Sequence, residues 1–246
     1  MKTHFLTYGD GLFSKRKFIL AAEVINSGYP IDYVYAWDRD YISEFYAAHK
    51  IFMDNESCSG RFIWKPYIIL KLLEKMPDND VLIYCDSGCT VINKGHRKAD
   101  RDQRYYEYFD FLDQVQVPIL PFCPYWDNEH KYNLETLPVF LLDYFGLNND
   151  NFKNSPSFEA GFLIMRKTND VVKIITEWLE LMLHNDYFLL KNNVSADQGV
   201  LNAIWYTKQL SVIFGMDFYG QGPFFAGRYT DVGQKPGWTN ESLIID

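Results

Sequence analysis

Asp86 is the side chain of this sequence best placed for chemistry, because it stands at the end of a predicted strand and before a tight turn. The run 81–85, Val-Leu-Ile-Tyr-Cys, is continuously apolar and rich in β-favouring residues, which predicts a strand covered on both faces. In open α/β sheets, ligands bind beyond the carboxyl ends of such strands. Ser87 and Gly88 then allow the backbone to turn sharply and to come close to a ligand. The alternative interpretation is an ordinary strand-ending aspartate that caps a turn.

A second charge, the ammonium of Lys65, lies where a helix is predicted to begin. Trp64-Lys65-Pro66-Tyr67 places a proline at the first helical position, and apolar residues then recur at helical spacing. The free N–H groups and the dipole at a helix N-terminus favour an anion, and the lysine adds a full positive charge. The sequence therefore predicts a phosphate-binding position here. The alternative is a solvated lysine beside a core tryptophan.

Two later segments carry further candidate groups. The run 158–166 predicts a strand, and its Gly161 leaves room for a ligand or another group to come close. Ser195-Ala196-Asp197-Gln198 precedes an apolar helix predicted over 200–206. Taken from the residues alone, Asp197 is either a site residue or an ordinary cap of that helix.

The first elements that must position these groups form a β-α-β unit. Strands are predicted over 4–8 and 31–37, and the helix between them, over 14–26, carries one apolar face. The residues of this face are Phe18, Ile19, Ala22 and Ile25. Such an opening is typical of a doubly wound sheet.

The rest of the chain continues the alternation of strands and helices. Gly9 follows the first strand, where backbone amides can meet a nucleotide, but the sequence has no Gly-x-Gly-x-x-Gly, which argues against a dehydrogenase-type dinucleotide fold. We expect a surface loop over 95–104, a helix over 101–113, an extended edge segment over 115–123 and a helix over 168–184. The predicted fold class is α/β, a Rossmann-like mixed β-sheet flanked by helices.

Length, charge and cysteine content narrow the class of protein. The 246 residues are 48% hydrophobic and 17% aromatic, enough for a sizeable core, and the net charge of −8 argues against nonspecific binding to nucleic acid or anionic membranes. The four cysteines form no Cys-x-x-Cys pair and no zinc spacing, which is typical of reduced thiols in a cytosolic compartment. No window approaches a membrane span, and the apolar run at 5–8 is too short for a signal peptide. The expectation is a soluble, cytoplasmic protein.

Three blocks of the sequence together resemble a known family. They are GRFIWKPYIILKLLEKMPDNDVLIYCDSGC, FEAGFLIMRKTNDVVKIITEWL and SADQGVLNAIW. In this order they are similar to a group of GT-A-fold glycosyltransferases, found in bacteria and large viruses, that build surface glycans. The resemblance runs from Phe5 to about Trp238 and implies a single GT-A-like domain over 1–246. Its nucleotide-binding half would cover about 1–92 and its acceptor-binding half about 93–246.

The resemblance also implies roles for particular residues. Asp86 matches the first carboxylate of the DxD motif, which in GT-A enzymes helps to hold a divalent metal ion on the donor diphosphate. Asp197 would stand near the reacting sugar and is the best candidate for a general base. The residues that the resemblance places against the nucleotide sugar are Thr7, Tyr8, Gly9, Trp64, Lys65, Asp86, Ser87, Gly88, Glu159, Ala160, Gly161, Gln198 and Arg228.

The implied reaction moves a hexosyl or deoxyhexosyl group from a UDP- or GDP-sugar to a hydroxyl of an oligosaccharide, glycoprotein or glycolipid. The implied setting is the cytosol of a bacterium or of a virus-infected host, and the implied cofactor is Mn²⁺ or Mg²⁺. One departure from the motif concerns the metal, because Gly88 occupies the position of the second DxD acid and the last histidine is His184. Asp86 is then the one metal ligand implied, together with the diphosphate and waters, and Lys65 or Arg228 would supply further positive charge.

Two other functions stay open from the sequence. The run from Asp86 to Thr90 matches part of the DxDxT motif of haloacid-dehalogenase-type phosphatases, in which the first aspartate is a nucleophile, although the second aspartate is missing. A catalytically silent sugar-binding module would keep the same fold.

Overall fold

Continuous apolar runs form the middle of the sheet, as the sequence predicts. In the computed structural model, Val81–Cys85 is fully buried, and Glu159–Arg166 is buried up to its last residue. The structure describes residues 1–55, 60–93, 95, 97–123, 139–155, 157–183, 196–210, 213–214, 222–227 and 229–234. Within these ranges strands and helices alternate as in an α/β protein.

One mixed sheet organises the chain. The strands of the described ranges are β1 (Thr3–Tyr8), β2 (Tyr33–Trp37), β3 (Val81–Cys85), β4 (Thr90–Val91), β5 (Ile119–Cys123), β6 (Glu159–Arg166), β7 (Ile213–Phe214), β8 (Phe224–Phe225), β9 (Tyr229–Thr230) and β10 (Gly233–Gln234). Six of them form a sheet in the spatial order β2-β1-β3-β6-β5-β7, in which β6 runs antiparallel to both of its neighbours. The short strands pair as β4 with β8 and β9 with β10.

Helices cover both faces of this sheet. They are α1 (Arg16–Ile25), α2 (Ser43–Asn55), α3 (Trp64–Leu73), α4 (Lys98–Gln114), α5 (Val139–Tyr144), α6 (Asp150–Lys153), α7 (Asn169–Met182) and α8 (Ala196–Thr207). The apolar side chains of α1 and α4 pack on one face, and those of α2, α3, α7 and α8 pack on the other. No helix in the described part of the chain combines the length and the apolar character that a membrane span requires.

Strand direction brings distant segments of the chain to one edge of the sheet. β1 and β3 are parallel, so their carboxyl ends lie side by side. β6 is antiparallel to β3 and therefore begins where β3 ends. A hydrogen bond of 2.9 Å from the Asp86 backbone N–H to the Gly161 carbonyl fastens the two segments together.

α1 buries a different face from the one that the sequence predicts. Its exposed residues include that whole predicted face, Phe18, Ile19, Ala22 and Ile25. The buried face consists of Leu20, Ala21 and Val24 together with Arg16 and Lys17. The two basic side chains tolerate burial because their charged ends reach carboxylates and backbone carbonyls.

Three other predictions about strands and helices are corrected. β5 is not an edge strand, since it pairs with β6 on one side and β7 on the other, and its Pro121 is accommodated next to a register shift. α4 begins at Lys98, inside the stretch predicted as a loop, where an ion pair to Asp102 one turn later supports the helix. α3 begins at Trp64, so Pro66 is its third residue and still lies in the first turn, where no backbone donor is needed.

Candidate active site

Lys65 joins the two carboxylates that the sequence singles out. Its Nζ atom lies 2.6 Å from Asp197 Oδ2 and 3.3 Å from Asp86 Oδ1. The Lys65 and Asp197 side chains are 3% and 5% exposed, whereas the Asp86 side chain is 23% exposed. These three residues, called the Lys65 cluster below, meet at the carboxyl end of β3, and Asp86 is the member that faces solvent.

The charges of the Lys65 cluster support one another in a place that excludes water. Burial alone would lower the pKa of Lys65, but the attraction of Asp197 and Asp86 outweighs it and holds that pKa above its usual value. Burial raises the pKa of Asp197, and the Lys65 ammonium opposes that rise. Lys65 is therefore a fixed positive charge between two acids.

Tyr84 orients the carboxylate of Asp86. Its hydroxyl donates a hydrogen bond of 2.5 Å to Asp86 Oδ1, the same oxygen that faces Lys65. The Tyr84 ring is fully buried, and burial raises the pKa of its hydroxyl well above the usual value, so it stays a donor. The other oxygen, Asp86 Oδ2, accepts no hydrogen bond from the residues that the structure describes.

The residues around Asp86 could bind a divalent cation only if a ligand supplied part of its coordination shell. Among the described residues no three His, Cys, Asp or Glu side chains come together as metal ligands. Gly88 has no side chain to contribute, which leaves the free Oδ2 of Asp86 as the available carboxylate oxygen. Mg²⁺ is commonly bound through one or two carboxylates, with substrate phosphates and waters completing its shell.

The turn after Asp86 is held from three sides. The Cys89 backbone N–H donates to the Asp86 carbonyl, and the Tyr229 backbone N–H donates to the Gly88 carbonyl at 2.8 Å. Arg16, which is 5% exposed, donates from Nη2 to the Cys89 carbonyl at 2.5 Å. Ser87 and Gly88 are both buried in this turn, so the turn is a rigid support for Asp86.

The segment that follows β8 also fastens the start of α1. Asp231 accepts hydrogen bonds from the backbone N–H groups of Lys15 and Arg16, at 3.0 and 2.7 Å, and from the Ser14 hydroxyl at 3.0 Å. These N–H groups belong to the helix N-terminus, where they have no partner within the helix. Asp231 therefore acts as the N-terminal cap that α1 lacks in its own sequence.

The end of β1 packs on α3 through two buried rings and carries an ion pair beside them. The Tyr8 ring stacks on the Trp64 ring at 4.2 Å between centroids. The Tyr8 hydroxyl donates to Asp10 Oδ2 at 3.2 Å, and Arg39 Nη2 donates to the same oxygen at 3.0 Å. Burial raises the pKa of Tyr8, so this hydroxyl is also a permanent donor. Two of the predicted nucleotide-sugar-binding residues, Tyr8 and Trp64, are thus buried in one contact.

The two other predicted residues of this strand end have different surroundings. Gly9 is required by close packing, because a Cβ atom there would lie 2.3 Å from the Phe13 carbonyl oxygen. Its own carbonyl accepts a hydrogen bond from Lys17 Nζ at 3.0 Å. Thr7 is fully buried, points to the opposite face from Tyr8 by the alternation of the strand, and makes no hydrogen bond through Oγ1 within the described residues.

The remaining predicted residues lie at the start of β6 and of α8. Glu159, Ala160 and Gly161 are all buried in β6. Gln198 is partly buried, and its Nε2 donates to Ser157 Oγ at 3.0 Å. Arg228 lies outside the described residues, so the structure does not test its predicted role at the donor.

The structure therefore brings Lys65, Asp86 and Asp197 together, as the three sequence blocks predict. It also shows partners that sequence reasoning missed. The sequence does contain a signal for Tyr84. Residues two apart in a strand lie on the same face of the sheet, and Tyr84 stands two positions before Asp86. No sequence motif marks the ion pair of Asp10 and Arg39. The two residues follow β1 and β2 and come together only because these strands lie side by side.

Comparisons with known proteins bear on the fold. No protein-family model and no curated protein matches the sequence. Among solved structures, a glycosyltransferase involved in the glycosylation of the major capsid of PBCV-1 superposes with a TM-score of 0.50 at 12% identity, over 87% of this chain and 82% of that chain.

Two further solved structures superpose over the same share of this chain. Mouse xyloside xylosyltransferase 1 has a TM-score of 0.47 at 8% identity and is covered over 84% of its length. An active-site mutant of LgtC has a TM-score of 0.47 at 14% identity and is covered over 72%. The likeness to the PBCV-1 protein, at such low identity, concerns the fold: this chain has a GT-A-type mixed α/β fold.

Proposed function

We propose that the protein is a glycosyltransferase that moves a sugar from a nucleoside-diphosphate donor to a hydroxyl of a glycan acceptor. The observation that carries this proposal is the Lys65 cluster, with Nζ 2.6 Å from Asp197 and 3.3 Å from Asp86 at the carboxyl end of a central strand. Ligands of open α/β sheets bind at that edge. The GT-A-type fold is consistent with this use of the site.

The charge balance of the cluster suits the reaction. One ammonium and two carboxylates leave an excess of negative charge, and Asp86 presents it on the solvent side. Glycosyl transfer develops positive charge on the anomeric carbon and negative charge on the leaving diphosphate. Asp197 would stabilise the first, and Lys65, together with a cation held by Asp86, would stabilise the second.

A divalent cation, Mn²⁺ or Mg²⁺, is part of the proposal. Asp86 would hold it through Oδ2, because Tyr84 and Lys65 already engage Oδ1. When bound, the cation would neutralise charge on the diphosphate as a Lewis acid. The role of the protein in this step is to keep Asp86 in one orientation through Tyr84 and the buried turn.

The role of Asp197 depends on the stereochemistry of transfer. An enzyme that inverts configuration needs a carboxylate that takes the acceptor proton, whereas with retention the leaving phosphate takes that proton and Asp197 stabilises the sugar cation. The burial of Asp197 and its 2.6 Å contact with Lys65 favour the second role. An NMR assignment of the product anomer distinguishes the two, since an inverted product would return Asp197 to the role of base.

The donor is proposed to be a UDP- or GDP-sugar, and the acceptor an oligosaccharide, glycoprotein or glycolipid. At the end of β1 the Tyr8 and Trp64 rings are buried against each other, and the ion pair of Asp10 and Arg39 is the part that offers charged groups and a planar guanidinium to a nucleoside. The acceptor would approach from the part of the chain that follows β3. Both assignments come from the resemblance of the sequence to GT-A glycosyltransferases.

Thermal shift with nucleotides tests the proposal. UDP, GDP and their sugars are titrated with and without Mn²⁺, and phosphomonoesters serve as the competing class. Stabilisation by the diphosphates supports transfer, a response to phosphomonoesters alone would indicate a phosphatase, and no response to any nucleotide would overturn the proposal.

Slow hydrolysis of the stabilising donor then separates an enzyme from a silent binding module. We expect Asp197→Asn to abolish most of this hydrolysis while binding persists. The matched control is Asp110→Asn, which makes the same change at an exposed position of α4 and should hydrolyse the donor like the wild type. Equal hydrolysis by both variants would remove Asp197 from the mechanism.

A further inference from the structure

The chain enters α3 through a left-handed turn. Gly60, Arg61 and Phe62 have φ angles of +77°, +52° and +66°. Within the described residues, two other residues that are not glycine have positive φ, Asn79 and Gln209, and both are exposed single positions. Two consecutive bulky residues in the left-handed region of backbone conformation are an outlier.

Packing around the turn fixes this conformation. A Cβ atom on Gly60 would lie 3.0 Å from the Phe52 ring and 3.2 Å from Met53 Cα, so the backbone of Gly60 is pressed against α2. Arg61 is 3% exposed, which places it inside the protein. Hydrogen bonds from Ile63 N to Gly60 O, at 3.1 Å, and from Lys65 N to Phe62 O, at 2.9 Å, join the turn to α3.

The consequence of the turn is the position of the Phe62 ring. Lys65 Nζ lies 4.8 Å from the centroid of that ring, within the range of a cation–π contact. The ring of Tyr84 stands 5.8 Å from the same Nζ. Phe62 also meets Trp64 edge to face at 6.1 Å. The ammonium of Lys65 is thus held by two carboxylates and by aromatic faces.

We propose that Phe62 is a positioning residue for Lys65, and that the left-handed turn 60–62 serves to place its ring over the ammonium. Outliers of backbone conformation persist only where the surrounding structure enforces them, and they cluster at functional sites. Without the ring, the long lysine side chain keeps its two ionic partners but loses the face that fixes its direction. This proposal rests on the proposed function of the Lys65 cluster and names a residue that acts through it.

Substitution of the ring tests the role of Phe62. Phe62→Leu keeps an apolar side chain and removes the π face, so we expect kcat for donor hydrolysis to fall about fivefold, the size of one cation–π contact, with donor KM within about twofold. Phe62→Tyr keeps the face and should restore kcat. The control Phe109→Leu makes the same change at a partly buried position on the other face of the sheet and should leave kcat unaltered. A Phe62→Leu enzyme with the kcat of the wild type would overturn the proposal.

The geometry of the turn is tested with a pair of glycines. Gly60→Ala introduces both an unfavourable φ and a clash, whereas Gly28→Ala has a φ of +82° and open space around its Cβ. Both variants should lose stability, but Gly60→Ala alone should also lower kcat. Equal kcat in the two variants would show that the turn does not serve the site.

Crystal structures of the wild type and of Phe62→Leu give a readout that does not depend on catalysis. We expect the distance from Lys65 Nζ to Asp86 Oδ1, 3.3 Å in the wild type, to lengthen by about 0.5 Å in the variant, since a displacement of about 1 Å can already cost about 10²-fold in rate. An unmoved ammonium contradicts the role of Phe62 even if the enzyme is active. A displaced ammonium in a protein that hydrolyses no donor supports the role of Phe62 and counts against the proposed function alone.

Discussion

The two ends of the central sheet both bury charged groups, but they satisfy them differently. At the amino end, Asp80 accepts the Lys2 backbone N–H at 2.7 Å through Oδ1 and faces His4 Nε2 at 3.1 Å through Oδ2. At the carboxyl end, Asp86 has both of its contacts on Oδ1 and offers Oδ2 to solvent. A carboxylate with both oxygens engaged stabilises the fold, whereas one with a free oxygen can accept a ligand.

The electrostatic consequences run in opposite directions at the two ends. Burial would raise the pKa of Asp80, but the hydrogen bonds from Lys2 and His4 outweigh it and hold that pKa below its usual value. At the other end burial prevails over Lys65, and the pKa of Asp197 is raised. The ionised form is therefore favoured by folding at Asp80 and disfavoured at Asp197.

The largest effect is expected from Lys65→Met. The substitution leaves the buried Asp197 and the partly exposed Asp86 without their cation, and breaking a buried ion pair such as that of Asp197 costs about 3–5 kcal/mol of unfolding free energy. Donor hydrolysis should fall to background. Denaturant unfolding and hydrolysis rates measure both effects. Lys2→Met, which breaks an exposed pair with Asp32 at the amino end, is the control and should change neither quantity appreciably.

Asp197→Asn should separate activity from stability. We expect kcat to fall by about 10²- to 10³-fold, the effect of removing one group that stabilises charge in the transition state. A raised pKa means that this group contributes stability when protonated, at low pH, and loses that contribution as pH rises through its folded pKa. The neutral amide avoids this loss but takes away the 2.6 Å partner of Lys65, so the unfolding free energy at pH 7 should fall by less than in Lys65→Met. A destabilisation as large as that of Lys65→Met, with an unchanged kcat, would place Asp197 with Asp80 as a structural acid.

Tyr84→Phe tests the orientation of Asp86. The variant removes one hydrogen bond to a charged group, a loss of about 1.5–3 kcal/mol, and should lower kcat about tenfold or more with little change in fold. Tyr35→Phe removes a hydroxyl that contacts His4 at the amino end and is the matched control. If both variants kept full activity, Asp86 would be oriented by its turn alone.

Asp80→Asn should have the smallest effect, and on stability alone. A lowered pKa means that Asp80 contributes stability above its unfolded pKa of about 4 and loses it as pH falls through its folded pKa. The variant should lose about 1–3 kcal/mol at pH 7 and show a flatter decline of stability below pH 4. Unfolding curves between pH 2 and pH 7 measure this, and a fall in kcat would contradict the assignment.

Much of this arrangement can be predicted from the sequence, because its signals are local. The apolar run before Asp86 and the helix start at Lys65 are patterns within a dozen residues, and the fold class follows from the alternation of such patterns. The meeting of Lys65 with Asp197 required the resemblance to a family, since nothing local links residues so far apart. The predicted donor, acceptor and metal stay predictions.

The missed features depend on tertiary structure. α1 has apolar residues on two faces, and it buries the one that also carries Arg16 and Lys17, because these two side chains find partners beneath the helix. The spacing of apolar residues gives no information on those partners. The left-handed turn at Arg61 and Phe62 has no glycine or asparagine at either position, so the sequence gives no sign of it. Tyr84 looks like one more apolar residue of a buried strand until its hydroxyl is seen against Asp86.

The capping of α1 by Asp231 has a consequence for biosynthesis. The residues that it fastens are made more than two hundred positions earlier, and Tyr229 secures the Gly88 carbonyl from the same segment. The β-α-β unit is therefore synthesised long before the segment that holds the start of α1 and the turn after Asp86. A polypeptide that ended between α8 and this segment would carry the Lys65 cluster without these hydrogen bonds.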